Sequence, residues 1–123
     1  MKRFVLSSLA VLAAATALPA QAQPTPGGKC IYIRDLRNHT VGDDHTLYFN
    51  LAGREVYRVT ASNACLAGVT STDTIVMRDR ASTGRICDRM DWDIASQGGR
   101  CIVSDVTKLT PEEVKALPRR VKP

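Results

Sequence analysis

The sequence predicts a mainly β fold: a small antiparallel barrel-like or sandwich domain of six or seven strands, held by two disulfides and closed by a short C-terminal helix. Three observations predict it. Apolar residues recur at every second position in short runs separated by turn residues. Four cysteines follow an N-terminus of export type. A helix-capping motif then stands alone near the C-terminus.

Residues 1–22 read as a signal peptide. Lys2 and Arg3 precede an apolar run over 4–18, and Ala20, Gln21 and Ala22 form a small-residue exit, which places cleavage near Ala22. The run is too short and alanine-rich for a membrane span, and the first cysteine, Cys30, lies too far past Ala22 to carry a lipid at the cut. The expected product is periplasmic or secreted and not membrane-spanning. The 17 basic residues, less Lys2 and Arg3, leave 15 against 12 acidic, a net +3. That excess suits solubility or an anionic envelope surface, and nucleic acid is not an expected partner of an exported chain. A chain of this length supports one core, so a single domain is expected over 30–118, between a Pro/Gly-rich flexible leader (23–29) and a basic tail (119–123) that should fray.

Strands are predicted in order. Residues 30–36 set Ile31 and Ile33 on one face; residues 46–51 set Leu47, Phe49 and Leu51 on one face and Tyr48 on the other. Ala52, Gly53 and Arg54 have hairpin length, and Tyr57 and Val59 alternate through 55–59. Further strands are expected at 73–78, 85–87, 91–95 and, after the Gly98-Gly99 turn, 100–106. Thr110, Pro111 and Glu113 then provide N-cap hydroxyl, N1 proline and N3 glutamate, with Leu109 and Val114 as a staple. Pro118 ends this helix, which should lie across the sheet through Leu109, Val114 and Leu117.

The even cysteine count in an exported chain predicts disulfides rather than a redox pair, a zinc site or a catalytic thiol, and no Cys-x-x-Cys occurs. Of three pairings, the nested one is expected: Cys30 with Cys101, which open the first and last strands, and Cys65 with Cys87 across the centre. On the chain-entropy model each closure contributes roughly 3–4.5 kcal/mol. No cofactor is expected.

Three polar groups are candidate sites. His39, Asp43, Asp44 and His45 place two imidazoles and two carboxylates within one short segment, a set that could ligate a metal or serve a hydrolase. Turn chemistry is the plainer reading of the same residues. Asp91 and Asp93 would share one side of a strand, but with Trp92 on the core face both belong in solvent. Arg78, Arg80, Arg85, Arg89 and Arg100 could form a basic face for anionic glycan or lipid, or guard exposed strand edges.

Cys30-Ile31, then an arginine-rich segment, Asp43-Asp44-x-Thr46-Leu47-x-Phe49, Gly53-x-x-Val56-Tyr57-Arg58, Cys65-Leu66, Arg85-Ile86-Cys87-x-x-x-Asp91 and finally Cys101 follow one another along the chain. The string resembles a family of small exported proteobacterial β-rich proteins with four cysteines, classed as a domain of unknown function. The resemblance implies export, disulfide pairing and a compact β domain, and brings no catalytic residue with it. The chain departs from that pattern at Val59, where the family tends to Asn, and in its appended helix. The expected role is a non-enzymatic binding or accessory envelope protein whose partner is an envelope component or another protein. The alternatives are a small hydrolase or metal-binding protein using His39, Asp43, Asp44 and His45, and a structural subunit that pairs through a sheet edge.

Overall fold

A computed structural model describes residues 30–123. The expected signal peptide and leader lie outside the described residues. From Cys30 the chain forms a two-residue strand, β1 (Ile31–Tyr32), and then a 3-10 turn (Ile33–Asp35) in which the Leu36 N–H closes on the Ile33 carbonyl. The alternation over 30–36 is therefore interrupted halfway, and the turn redirects the chain into a different sheet.

That next strand, β2 (Leu36–Asp43), occupies most of the segment expected to turn. It runs antiparallel to β3 (Thr46–Leu51), pairing His39 with Phe49, Thr40 with Tyr48 and Val41 with Leu47, with two register shifts along the way. Only the Asp43–His45 corner turns. β2 is an edge strand with polar residues at most positions, so it lacks the period-two apolar signal. The β3–β4 hairpin forms as expected, with β4 extending to Ala61 (Glu55–Ala61). Ala52 and Gly53 both take positive φ (52° and 74°), and the Arg54 N–H reaches the Leu51 carbonyl at 3.1 Å, the left-handed turn that matches strand twist.

Nine strands build three antiparallel sheets among the described residues, more than the six or seven expected. The largest has the order β2-β3-β4-β9, where β9 is Val103–Lys108; a second joins β5 (Val76–Asp79), β7 (Trp92–Ser96) and β8 (Gly99–Cys101); β1 pairs with β6 (Arg85–Ile86). The run expected as one strand over 100–106 thus splits at Ile102 between two sheets. Ile102 donates its N–H to Asn63 Oδ1 (2.8 Å) and accepts the Ser62 N–H (2.8 Å) in place of ladder bonds. β5 starts later than expected because the Asp73 carboxylate is held in a turn by the Thr70 N–H at 2.7 Å. β7 starts at Trp92 because Asp91 closes a capping box with Asp88 over the 3-10 turn Arg89–Asp91.

One face of β3 and β4 (Leu47, Phe49, Tyr57, Val59, Ala61) meets Trp92 and Ile94 from β7 in a single buried cluster that also takes in Ile31, Ile86, Leu66 and Val106. At its centre Phe49 and Trp92 stack with centroids 5.9 Å apart and an interplanar angle of 23°.

The disulfides are Cys30–Cys87 and Cys65–Cys101, which overturns the nested pairing of Cys30 with Cys101 and Cys65 with Cys87. The reason lies in the ladders. Pairing of Ile31 with Ile86 brings their flanking cysteines to a Cα separation of 4.2 Å, while Cys101 sits on β8 beside the loop that carries Cys65, at 5.1 Å.

The C-terminal helix, α1 (Pro111–Ala116), has its reciprocal cap: Thr110 Oγ1 accepts the Glu113 N–H and Glu113 Oε2 accepts the Thr110 N–H at 2.7 Å. Leu109 is buried, and Val114 and Leu117 are half-buried. The tail does not fray. Arg119–Val121 forms a 3-10 turn in which Val121 is only 5% exposed and its carbonyl accepts the Thr40 hydroxyl at 2.5 Å. Thr40 faces away from the core, so the tail packs on the back of the larger sheet. Among the described residues no helix is long and apolar enough to cross a membrane.

Candidate functional site

The His39, Asp43, Asp44, His45 set does not converge. His39 sits on β2 opposite Phe49, and its Nε2–H donates to the Asp73 carbonyl at 3.1 Å. His45, beyond the strand end, donates from Nδ1 to the Ala61 carbonyl at 3.2 Å. Asp43 Oδ1 accepts the His45 N–H at 2.8 Å, the local turn bond its sequence position suggests, and this donor holds its carboxyl below the usual range. Asp44 contributes its backbone carbonyl to the Leu66 N–H. Among the described residues, no cluster of three or more His, Cys, Asp and Glu side chains could hold a metal ion.

Asp91 and Asp93 do not share a strand face. Asp91 caps a turn, accepting the Cys87 and Asp88 N–H groups at 2.8 and 2.9 Å, and Asp93 pairs with Arg100 at 2.8 Å. Trp92 is 2% exposed and offers no stacking platform. The five arginines divide between separate places. Arg78 and Arg100 flank Asp93 and Val76 on the outer face of the three-stranded sheet, Arg80 follows the end of β5 with its N–H on the Asp91 carbonyl at 2.8 Å, Arg89 donates to the Ser104 carbonyl of β9 at 3.0 Å, and Arg85 lies on β6.

Arg85 belongs to an open groove of about 620 Å³ lined by Tyr32, Ile33, Arg34, Thr83, Gly84 and Arg85. Its construction follows from the smallest sheet. Ile31 and Ile86 face the core, so alternation turns their neighbours Tyr32 and Arg85, a cross-strand pair, outward. The Cys30–Cys87 bridge closes one end of this pair, and the Ile33 N–H donates to the Gly84 carbonyl at 3.1 Å at the other. The Arg34 guanidinium lies 4.9 Å above the Tyr32 ring.

The opposite wall is the 79–84 loop, organised by Asp79. Its Oδ2 accepts the Thr83 N–H, the Thr83 hydroxyl (3.0 Å) and the Gly84 N–H (2.9 Å), while Ser82 and Gly84 take positive φ. Burial works against the charge on this carboxyl, yet the donors from Thr83 and Gly84 outweigh it and hold it below the usual range. The Thr83 and Gly84 amides are thereby taken up by Asp79, and the guanidinium groups of Arg34 and Arg85 are among the donors that line the groove. Among the described residues Arg85 makes no ion pair, and Arg34, 79% exposed, has only the long contact at 4.0 Å to Asp35.

The alternation at 30–36 marks Tyr32 as outward-facing, and Arg85 stands among the arginines singled out from sequence. Arg34, Thr83 and Gly84 escaped notice because the groove depends on pairing β1 with a strand far along the chain, for which no local pattern exists. The lining residues include no carboxylate, imidazole or thiol. Elsewhere, the Tyr57 hydroxyl is pushed up to about 12 by burial and then by its bond to Glu55 (3.0 Å), which Lys108 meets at 2.6 Å. A phenol held protonated in this way is a poor nucleophile, and the tie from β4 to β9 is the Lys108–Glu55 pair.

Fold and groove together define a disulfide-bridged antiparallel β domain with a small cationic, aromatic concavity on its surface. No family model, curated protein or solved structure matches this chain.

Proposed function

We propose that the chain is an exported, non-enzymatic binding or accessory protein of the cell envelope, and that it presents the Tyr32, Arg34 and Arg85 groove to its ligand. The observation that carries this reading is the groove itself: two exposed guanidinium groups and an exposed ring on a wall fixed by a disulfide and by Asp79. Of the groups a hydrolase or metal site would need, His39, Asp43 and His45 are each bonded to a different backbone group rather than to one another. All four cysteines are paired, which agrees with an oxidising compartment and with the export-type N-terminus.

Pairing through a sheet edge has less support than binding through the surface. The Val41 N–H of β2 is taken by Ser71 Oγ at 2.9 Å, the Ser104 carbonyl of β9 by Arg89, and the edge of β8 by Asn63, which donates to the Arg100 carbonyl at 2.8 Å. Cell fractionation and a pull-down test the proposal together. The expected result is a product that lacks residues 1–22 outside the cytoplasm and retains an envelope component. A full-length cytoplasmic product, or an extract from which nothing is retained, overturns it.

A further inference from the structure

Resting on the reading of this surface as a binding site, we infer that the groove is a subsite for an acidic saccharide, a sugar ring that carries a carboxylate. The Arg34 guanidinium lies over the Tyr32 ring, 4.9 Å from its centroid, with Nε 4.0 Å from Asp35 Oδ1 and the side chain 79% exposed, so its terminal N–H groups are open to a ligand. Arg85 stands across the strand pair from the same ring. A carboxylate is an anion whose planar, two-oxygen shape suits a guanidinium fork. Tyr32, 40% exposed, and the half-buried Ile33 supply an apolar surface between the cations, against which the C–H face of a pyranose can lie while its hydroxyls remain in water.

Size and rigidity point the same way. A groove of about 620 Å³ is in the range of small-ligand sites. Its walls are fixed before binding by Cys30–Cys87 and by the Asp79 contacts, so little ordering remains when ligand arrives. An anionic bilayer would ask for a wider surface, with several exposed apolar anchors on one face beside the cations. The exposed large apolar residues Tyr32, Val76, Met90 and Ile102 instead stand on separate elements.

Calorimetric titration of the purified protein with a trigalacturonate, its methyl ester and phosphatidylglycerol vesicles tests the inference. The free acid is expected to bind with an affinity that falls as salt rises, and the ester to bind about tenfold or more weakly. Arg34→Gln and Arg85→Gln should each cost about tenfold, and Arg34→Lys should recover only part of the loss because it keeps charge without the fork. Arg100→Gln, outside the groove, should change nothing. Trp92 emission and intact disulfides establish that each variant is folded. Equal binding of acid and ester overturns the inference, as does undiminished binding by a folded Arg34→Gln/Arg85→Gln variant, or arginine-dependent capture by vesicles that trigalacturonate does not displace. If an envelope extract still yields a retained component while trigalacturonate does not bind, the saccharide assignment alone falls; if neither binds, the binding reading falls with it.

Discussion

Phe49 and Trp92 stack across the two larger sheets, 5.9 Å between centroids, and are both only 2% exposed. One comes from β3 and the other from β7, so this contact is where the two layers become one core. Truncating Phe49 to Ala should destabilise the domain by about 3–5 kcal/mol through lost burial and the cavity left behind. Trp92, the single tryptophan of the chain, reports the loss directly when urea unfolding is followed by its emission.

The two disulfides should separate under mild reduction. Cys87 is exposed and Cys30 half-buried, whereas Cys65 and Cys101 are 1% and 6% exposed. A graded reductant followed by alkylation and mass spectrometry should label Cys30 and Cys87 first. Each bridge, spanning 57 and 36 residues, should contribute about 4 kcal/mol on the chain-entropy model, so paired Cys→Ser variants should melt well below the parent.

Gly98 has no room for a side chain. A Cβ there would overlap the Cys65 carbonyl oxygen, which also accepts the Ser96 hydroxyl at 2.5 Å. Backbone cannot swing aside as a flexible side chain would, so Gly98→Ala should cost about 1–3 kcal/mol by displacing the Cys65 loop. Thermal unfolding measures the cost, and Gly53→Ala, where a Cβ meets nothing but φ is positive, separates crowding from backbone strain.

Acid should loosen the groove wall. Asp79, Asp73 and Asp43 all have folded-state carboxyls held below the ordinary value of 3.8. A group depressed in this direction contributes stability that is complete above the unfolded value and is lost as pH falls through the folded one. Melting temperature should therefore decline as pH drops below about 4. The gap between the parent and Asp79→Asn should be widest near neutrality and close in acid, with amide exchange at Thr83 and Gly84 accelerating first. A gap independent of pH would show that the Asp79 charge has no part in holding the loop.

Local features were readable in the sequence and distant pairings were not. The β3–β4 hairpin follows from alternation at Leu47, Phe49, Tyr57 and Val59 with Ala52 and Gly53 between, and the α1 cap from Thr110 and Glu113; both are short-range physics. β2 was hidden because an edge strand reading Arg37, Asn38, His39, Thr40 carries almost no apolar alternation. Cysteine connectivity depended on which strands are neighbours, and β1 with β6 is a pairing that only the folded chain reveals. The tail was misread because Val121 is a lone apolar residue among basic ones, too sparse a signal to predict that it would be buried. The groove was half visible: Tyr32 and Arg85 fall on the outward positions, but their adjacency required the same long-range pairing.

Ile102 is the point at which the chain leaves one sheet for the other, and Ser62 and Asn63 clasp it from the far side of the sequence. The crossing adds a backbone tie between layers that Phe49 and Trp92 already join. Clasped in this way, neither can come apart without the other, and heat or denaturant should meet a molecule that unfolds in a single concerted step.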